Sequence, residues 1–163
     1  MKTVSYSSPL GQIEIKSSGS FITSIKFIEL SEPSIDSTEL DDHLLQCVKQ
    51  LDEYFEGTRR EFSFPINQDG TDFQRSVWSH LSTIPYGRTI SYAELSKKLG
   101  DVKKIRAVGT TNGKNSLAIV VPCHRVIGSN NHLTGYAGGL WRKQWLLDHE
   151  AKYTHGVQQL KLI

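Results

Sequence analysis

The chain has 163 residues, 37% of them hydrophobic and 22% charged, a composition typical of a folded protein with a buried core. Its first residues lack the apolar core of a signal peptide, and no apolar run is long enough to span a bilayer, so we expect a cytoplasmic protein that does not enter a membrane. Two cysteines far apart in sequence, Cys47 and Cys123, are typical of free thiols rather than of a disulfide framework.

The net charge of +2 is unevenly distributed along the chain. Residues 1–70 contain six Lys and Arg against twelve Asp and Glu, whereas residues 71–163 contain thirteen against five. A basic half is typical of a surface that meets a polyanion, so the charge favours a nucleic-acid partner. Two solvated surfaces of opposite sign are the alternative.

Residues 1–68 are predicted to form a small α/β domain, an antiparallel sheet with one helix. Apolar residues at helical spacing predict that helix from about Ser37 to Phe55. Cys47 lies beside its apolar stripe, which favours an inert core residue. The polar residues 67–70 mark the boundary to a second domain at 69–163. The predicted strands, separated by turn residues, are Thr3–Ser7, Gln12–Ser17, Ile22–Phe27 and Glu61–Ile66.

Residues 69–163 are predicted to form a mainly α domain with a winged helix-turn-helix. Two capping-box patterns, at residues 71–74 and 91–94, mark helix starts. The second pattern opens the predicted helix Tyr92–Leu99, and a tight turn at Gly100 leads into a further helix. Two short helices joined in this way are a candidate DNA-binding motif.

This further helix, Val102–Asn112, has Asp101 as its predicted cap and carries two different faces. One face is apolar and should pack inward, while the other combines cations with small side chains. Small residues let a helix approach a narrow groove such as the DNA minor groove, although a solvated basic helix is the alternative. The inward residues are predicted to be Val102, Ile105 and Val108. The outward residues are Lys103, Arg106, Ala107 and Thr110.

A cysteine and a histidine are adjacent after a strand-like apolar run that begins at Ile119 and ends at Pro122. A thiol becomes a strong nucleophile when nearby cations or a paired imidazole favour the thiolate. Neighbours on an extended backbone point apart, so His124 needs a turn or a bridging water to activate Cys123. A buried structural cysteine beside an exposed histidine is the alternative.

The last predicted helix, Leu140–Glu150, places an acidic residue on its apolar side. Glu150 follows Leu146 and Leu147 by four and three positions, which orients its carboxylate inward, where it needs a partner. His124 as that partner would complete a set of nucleophile, base and orienting group, whereas a Glu exposed at a frayed helix end is the alternative. The apolar residues predicted to be buried on this helix are Trp141, Trp145, Leu146 and Leu147.

No metal or cofactor site is expected from the sequence. There is no Cys-x-x-Cys pair, and the six histidines lack ligand spacing. Gly138–Gly139 alone is too weak a pattern for a phosphate-binding loop.

The second half of the chain resembles the O6-alkylguanine-DNA alkyltransferases, also called methylated-DNA–protein-cysteine methyltransferases. The active-site signature of that family, Pro-Cys-His-Arg-Val, stands intact at Pro122–Val126. The N-terminal half is much less distinctive and is assigned to the family mainly because it accompanies the matching half. For this half the resemblance implies a ribonuclease-H-like fold. The flanking matches in register are Ile90–Tyr92, Arg106–Gly109, Asn115, Tyr136–Gly139 and Trp145–Glu150.

The resemblance implies catalytic roles for five residues. Cys123 would accept the alkyl group after activation through a water by His124 and Glu150. Tyr92 would hydrogen-bond the guanine ring and help the leaving anion gain a proton. Asn115 would brace the turn beneath the active site.

The resemblance also implies a DNA face and a base pocket. Arg106 would enter the base stack at the position that the guanine leaves. The other residues expected at the DNA face are Lys103, Ala107, Thr110 and Arg125. The pocket would be formed by Tyr92 and Tyr136 and by the backbone around Val126 and Ala137.

The implied function is DNA repair by a monomer without cofactor or zinc. The protein would flip O6-alkylguanine, and also O4-alkylthymine, out of duplex DNA and keep the alkyl group after one turnover. A winged-helix regulator with a structural or redox-sensing cysteine is one alternative, and a Cys–His hydrolase of small molecules is another. Stoichiometry separates the three functions. An alkyltransferase takes up one alkyl group per protein, a regulator takes up none, and a hydrolase completes many turnovers.

Overall fold

The structure is a computed structural model that describes residues 1–29, 41–129 and 132–155. The chain divides into two compact units, residues 1–68 and 69–163. Within the described ranges, no helix combines the length and the apolar character that a membrane span needs.

The first unit is a three-stranded antiparallel meander covered by one helix. In its register Val4 pairs with Ile15, which pairs with Ile25, and all three are buried because alternate residues face the helix. The helix α1 contributes Leu44, Leu51 and other apolar residues to this core. The elements are β1 (Lys2–Ser8), β2 (Gly11–Ser18), β3 (Phe21–Phe27) and α1 (Asp42–Glu56).

The structure can be compared with two sequence predictions for this unit, the start of the helix and the fourth strand. The helix begins at Asp42, where the Asp41 side chain accepts a hydrogen bond from the Leu44 amide, and the predicted start at residues 37–40 lies outside the described residues. The predicted strand Glu61–Ile66 is wrong, since only an isolated parallel bridge joins Ile66 to Ile22. Pro65 has no N–H to donate to a ladder, although its carbonyl accepts from Ile22.

Cys47 is fully buried in the core of the first unit. Desolvation raises the pKa of its thiol to about 12, so it stays protonated at neutral pH. The expectation of an inert core cysteine is therefore confirmed.

The second unit is mainly helical, with a two-stranded parallel sheet at its centre. Ile90 pairs with Val126 and Ser91 with Ile127, which fixes the segment after Cys123 beside the start of α3. The predicted combination of a small α/β domain and a helical domain is confirmed. The elements are α2 (Asp72–Leu81), β4 (Ile90–Ser91), α3 (Tyr92–Lys98), a 3₁₀ helix (Val102–Lys104), α4 (Ile105–Gly113), a 3₁₀ helix (Cys123–Arg125), β5 (Val126–Ile127) and α5 (Leu140–His155).

The helix-turn-helix forms with a different inner face from the one predicted. Val102 and Ile105 are 57% and 40% exposed, whereas Val108 is buried with Thr111 and Asn112. The buried face of α4 is formed by Val108, Thr111 and Asn112, and Ile105 lies at the edge of this face in the first turn. Val102 lies above Ile105, because the turn between them is a 3₁₀ helix with about three residues per turn. The expectation that Val102 and Ile105 pack inward is wrong.

The helix α5 runs five residues beyond its predicted end and buries Leu146, Leu147 and Glu150 as expected. Trp141 is 58% exposed, however, so its predicted burial is wrong. Arg142 is the neighbour that turns inward, and its guanidinium lies 4.5 Å from the Trp141 ring centroid. Trp145 is half-buried.

The start of α2 is held by a complete capping box. The Thr71 hydroxyl accepts from the Gln74 amide, and the Gln74 side chain accepts from the Thr71 amide. We expect Thr71→Ala to lower the free energy of unfolding by about 1 kcal/mol, while Thr71→Ser keeps the cap. All three tryptophans lie in the second unit, so urea unfolding followed by tryptophan fluorescence measures the effect there. Equal stability of the Ala and Ser variants would contradict the capping argument.

Candidate active site

The segment before Cys123 is a series of tight turns, so the predicted strand-like run is wrong. The backbone of Ile119 is in the left-handed region (φ 72°), and short backbone bonds join Val121 to Leu117 and Cys123 to Val121. Asn115 holds these turns, because its side chain accepts from the Leu117 amide and donates to the Val121 carbonyl at 2.7 Å. Asn115 thus occupies the bracing position that the resemblance implied.

His124 and Glu150 meet in the interior of the second unit. The 3₁₀ turn directs the imidazole inward, and its Nε2 lies 2.7 Å from Glu150 Oε2, with both side chains fully buried. A carboxylate only accepts hydrogen bonds, so Nε2 carries the proton and Nδ1 keeps a free lone pair. Nδ1 is buried and has no hydrogen-bond partner among the described residues. The pair therefore presents a neutral base of fixed tautomer.

Arg125 faces the same carboxylate and not the protein surface. Its Nε donates to Glu150 Oε1 at 2.8 Å, its Nη2 donates to Oε2 at 3.0 Å, and its Nη1 donates to the Ile84 carbonyl at 2.7 Å. The Gly87 amide adds a fourth partner to the network, at 3.2 Å from Glu150 Oε1. The expectation that Arg125 contacts DNA is wrong, because its guanidinium is buried and already paired.

The pKa shifts in this cluster follow from burial and charge. Burial raises the pKa of the Glu150 carboxyl, but His124 and Arg125 overcome this effect and hold it far below its ordinary value. Burial lowers the pKa of His124 more than Glu150 raises it. Burial also raises the pKa of the Cys123 thiol, against the opposing effects of Asn115 and Lys143. At rest the site therefore holds a neutral thiol, a neutral imidazole and an ionised carboxylate.

Tyr92, the first residue of α3, is linked to the cysteine through Asn112. The Asn112 amide nitrogen lies 3.4 Å from both the Tyr92 hydroxyl and the Cys123 carbonyl. Burial first and the Cys123 charge second raise the pKa of the Tyr136 phenol well above its ordinary value. Of the two predicted backbone readers, Val126 is buried in β5 and Ala137 is exposed.

Sequence reasoning missed two polar residues of the site, Asn112 and Lys143, which are both buried. The Lys143 ammonium donates to the Thr134 carbonyl at 2.9 Å. A signal was available, because residues 143, 146, 147 and 150 share one face of α5 at helical spacing. Asn112 follows Val108 by four positions on the inner face of α4.

The predicted DNA-facing residues lie together on the exposed side of the helix-turn-helix. Lys103, Arg106, Ala107 and Thr110 are all exposed, and neither cation makes an ion pair within the described ranges. Val102 and Ile105 add apolar surface beside them. In the same ranges no three His, Cys, Asp or Glu side chains group as metal ligands would.

Comparison with known families identifies both units. A model described as "6-O-methylguanine DNA methyltransferase, DNA binding domain" matches residues 72–152, and one described as the ribonuclease-like domain of the same protein matches residues 1–68. The chain belongs to this family. The resemblance to the O6-alkylguanine-DNA alkyltransferases is thereby confirmed.

Individual relatives support the assignment over most of the chain. A protein of Mycobacterium bovis named methylated-DNA–protein-cysteine methyltransferase is 45% identical, over 88% of each chain. One of the same name from Methanosarcina acetivorans is 44% identical, over 80% of this chain and 81% of its own. The crystal structure of Mycobacterium tuberculosis OGT in complex with DNA superposes with a TM-score of 0.84, at 40% identity and 94% coverage of both chains.

The cluster predicts that this family member loses stability in acid in two steps. The folded-state pKa of His124 lies below its ordinary value of 6.5, so the unfolded chain binds that proton first and stability falls below about pH 6.5. The pKa of Glu150 lies below its ordinary value of 4.5, so its contribution is present above that pH and is lost as pH falls further. Urea unfolding between pH 8 and 3, followed by tryptophan fluorescence, measures both steps.

Glu150→Gln separates the two steps. The amide cannot titrate, so we expect the stability of this variant to be lower at neutral pH and to change less between pH 4.5 and 3 than that of the wild type. An unchanged slope in that range would show that Glu150 is not the group responsible.

Proposed function

We propose that the chain repairs DNA by transferring an alkyl group from the O6 atom of guanine to Sγ of its own Cys123. The observation that carries this proposal is the buried arrangement of Cys123 beside the His124–Glu150 pair, with the free Nδ1 of the imidazole available as a base. The arrangement lies within the part of the chain that matches the family's DNA binding domain. The relatives' name and the DNA bound to the Mycobacterium tuberculosis protein support the same reaction.

The proton of the thiol leaves first. His124 takes it at Nδ1, through a water if one bridges to Sγ, while Glu150 stabilises the resulting imidazolium. Arg125 and the Gly87 amide hold the carboxylate in place for this task. Because the pKa of His124 is lowered in the folded protein, the equilibrium favours the neutral thiol and the neutral imidazole. The thiolate therefore forms only as the reaction proceeds.

The thiolate then displaces the guanine. Its electron pair forms the S–C bond as the C–O6 bond breaks, and the pair from that bond stays on the guanine. The proton lost by the thiol returns, in the overall balance, to the guanine ring, and we assign the Tyr92 hydroxyl to donate a hydrogen bond there. A thioether is a poor leaving group, so each protein molecule reacts once. O4-alkylthymine presents the same kind of alkyl carbon and is included in the proposal.

The alkyl carbon lies inside the duplex, so the base has to leave the stack before the thiolate can reach it. Flipping costs a few kcal/mol in unpairing and unstacking. We assign Arg106 to the gap left by the base, since its side chain is exposed and unpaired on α4 beside the small Ala107 and Thr110. Lys103 is assigned to the phosphate backbone.

The two alternative functions explain less of the structure. A DNA-binding regulator would use the exposed face of α4 but would not need a buried base beside the cysteine. A hydrolase would use the cysteine and histidine but would leave the unpaired cations of Lys103 and Arg106 without a role. The alkyltransferase uses both features.

Cys123 should be the only residue that gains the alkyl group. Incubation with O6-methylguanine duplex DNA should add one methyl mass to the wild-type protein, located by peptide mass spectrometry on Cys123. Cys123→Ala should add none and still bind DNA, because the thiol is buried. Cys47→Ala is the matched control and should react like the wild type. Methylation of Cys123→Ala, or repeated turnover by the wild type, would refute the proposal.

Arg106 should act on base extrusion more than on DNA affinity. An inserted side chain stabilises the flipped state, so Arg106→Ala should slow transfer from duplex DNA at least tenfold more than transfer from a free O6-alkylguanine base. Lys103→Ala is the control. The slope of its duplex affinity against salt concentration should correspond to about one phosphate contact fewer, and the chemical step should be unchanged. Equal losses on duplex and free base in Arg106→Ala would place the defect in the pocket and remove the assignment.

A further inference from the structure

Lys143 is a buried cation that the proposed mechanism does not yet use. Its side chain, on α5, is fully buried, and its ammonium has one hydrogen-bond acceptor, the Thr134 carbonyl at 2.9 Å. No carboxylate lies within 4 Å of it in the described part of the chain. An ammonium buried without a counter-ion is costly, so a lysine at this position needs an explanation.

The groups around Lys143 are those of the candidate active site. Its nitrogen lies 6.0 Å from the centroid of the Tyr92 ring, and Asn112 connects the hydroxyl of that tyrosine to the Cys123 carbonyl. Within this cluster the charges of the two residues act on each other: the Lys143 charge lowers the pKa of the thiol, and a Cys123 thiolate raises the pKa of the lysine. The charge of Arg125, on the other side of the cluster, is already compensated by the Glu150 carboxylate.

We propose that Lys143 is a positioning residue whose ammonium serves as the counter-ion of the Cys123 thiolate. This inference rests on the proposed function in one respect, namely that the Cys123 thiolate is the reacting species. In the resting protein the ammonium is held by the Thr134 carbonyl. When His124 removes the thiol proton, the new negative charge on Sγ finds a cation already in place, without reorganisation of the site.

The charge balance of the reaction assigns the two basic residues different tasks. His124 accepts the proton, and Lys143 keeps its own proton and contributes only charge. The S–C bond consumes the thiolate, so the product holds a neutral thioether and the ammonium loses its counter-ion. Burial lowers the pKa of Lys143 to about 8, which leaves most of the side chain protonated at pH 7.

The thiolate population can be compared without DNA at pH 7, where the Lys143 ammonium is mostly protonated, by the rate at which iodoacetamide alkylates Cys123, with Cys123→Ala as the blank. Cys47 does not contribute, because its pKa is about 12. We expect Lys143→Met, which keeps the length of the side chain without the charge, to lower this rate at least tenfold. Lys143→Arg should restore most of the rate. Lys152→Met removes an exposed lysine from the same helix and should leave the rate unchanged.

Methyl transfer gives a second readout of the same variants. Its rate in Lys143→Met should fall at least tenfold at pH 7, and the difference from the wild type should narrow as pH rises above about 8, where the wild-type ammonium loses its own proton. A purely structural lysine would lower the rate equally at every pH. Circular dichroism and thermal unfolding check that each variant is folded, and Lys143→Gln replaces Lys143→Met if the latter does not fold.

The outcomes separate this inference from the proposed function. A rate of Cys123 alkylation at pH 7 that is the same in the wild type and in the folded neutral variant overturns the role of Lys143, whether or not methyl transfer occurs. A loss of equal size in Lys152→Met overturns it as well. A loss confined to position 143 and reversed by Arg supports the inference, even for a protein that fails to methylate itself and so refutes the proposed reaction.

Discussion

The ionised carboxylate of Glu150 is the interaction on which the second unit depends. It is fully buried, and it can remain charged there only because His124, Arg125 and the Gly87 amide all donate to it. These partners come from two separate parts of the chain, so one side chain on α5 joins the cysteine turn to the loop after α2. The same contacts fix the tautomer of His124. Removing any partner would leave a buried charge under-compensated, which is more costly than losing an exposed ion pair.

The sequence was sufficient to predict those parts of the site that follow a local period. Helical spacing placed Glu150 on the inward side of α5, and capping patterns located the starts of α2 and α3 correctly. The same reasoning failed for Val102 and Ile105, because apolar spacing cannot show that two of the three buried residues of α4, Thr111 and Asn112, are polar. Trp141 failed for a related reason: at the first turn of α5 the inward side is taken by Arg142 and Lys143.

Long-range polar contacts could not be predicted from local patterns. Arg125 follows a cysteine and a histidine in a basic region, where a cation is expected to face a polyanion, and only the fold shows that it faces Glu150 instead. Asn112 and Lys143 lie 11 residues before and 20 residues after Cys123 along the sequence. Asn is a poor helix former and Lys is rarely buried in a core. The burial of these two residues is therefore explained by the polar site and not by the stability of the fold.

Burial creates the chemical problem that this arrangement of charges addresses. Exclusion of water strengthens every electrostatic interaction in the site, but it also raises the pKa of the Cys123 thiol and lowers that of His124, so both groups are neutral at rest. A thiol kept neutral is protected from most electrophiles, which matters for the single-turnover reaction proposed above. In that reaction the thiolate has to be generated when the substrate is present. The proposed mechanism assigns the proton acceptor to His124, which has a free lone pair, and the counter-charge to the buried ammonium of Lys143.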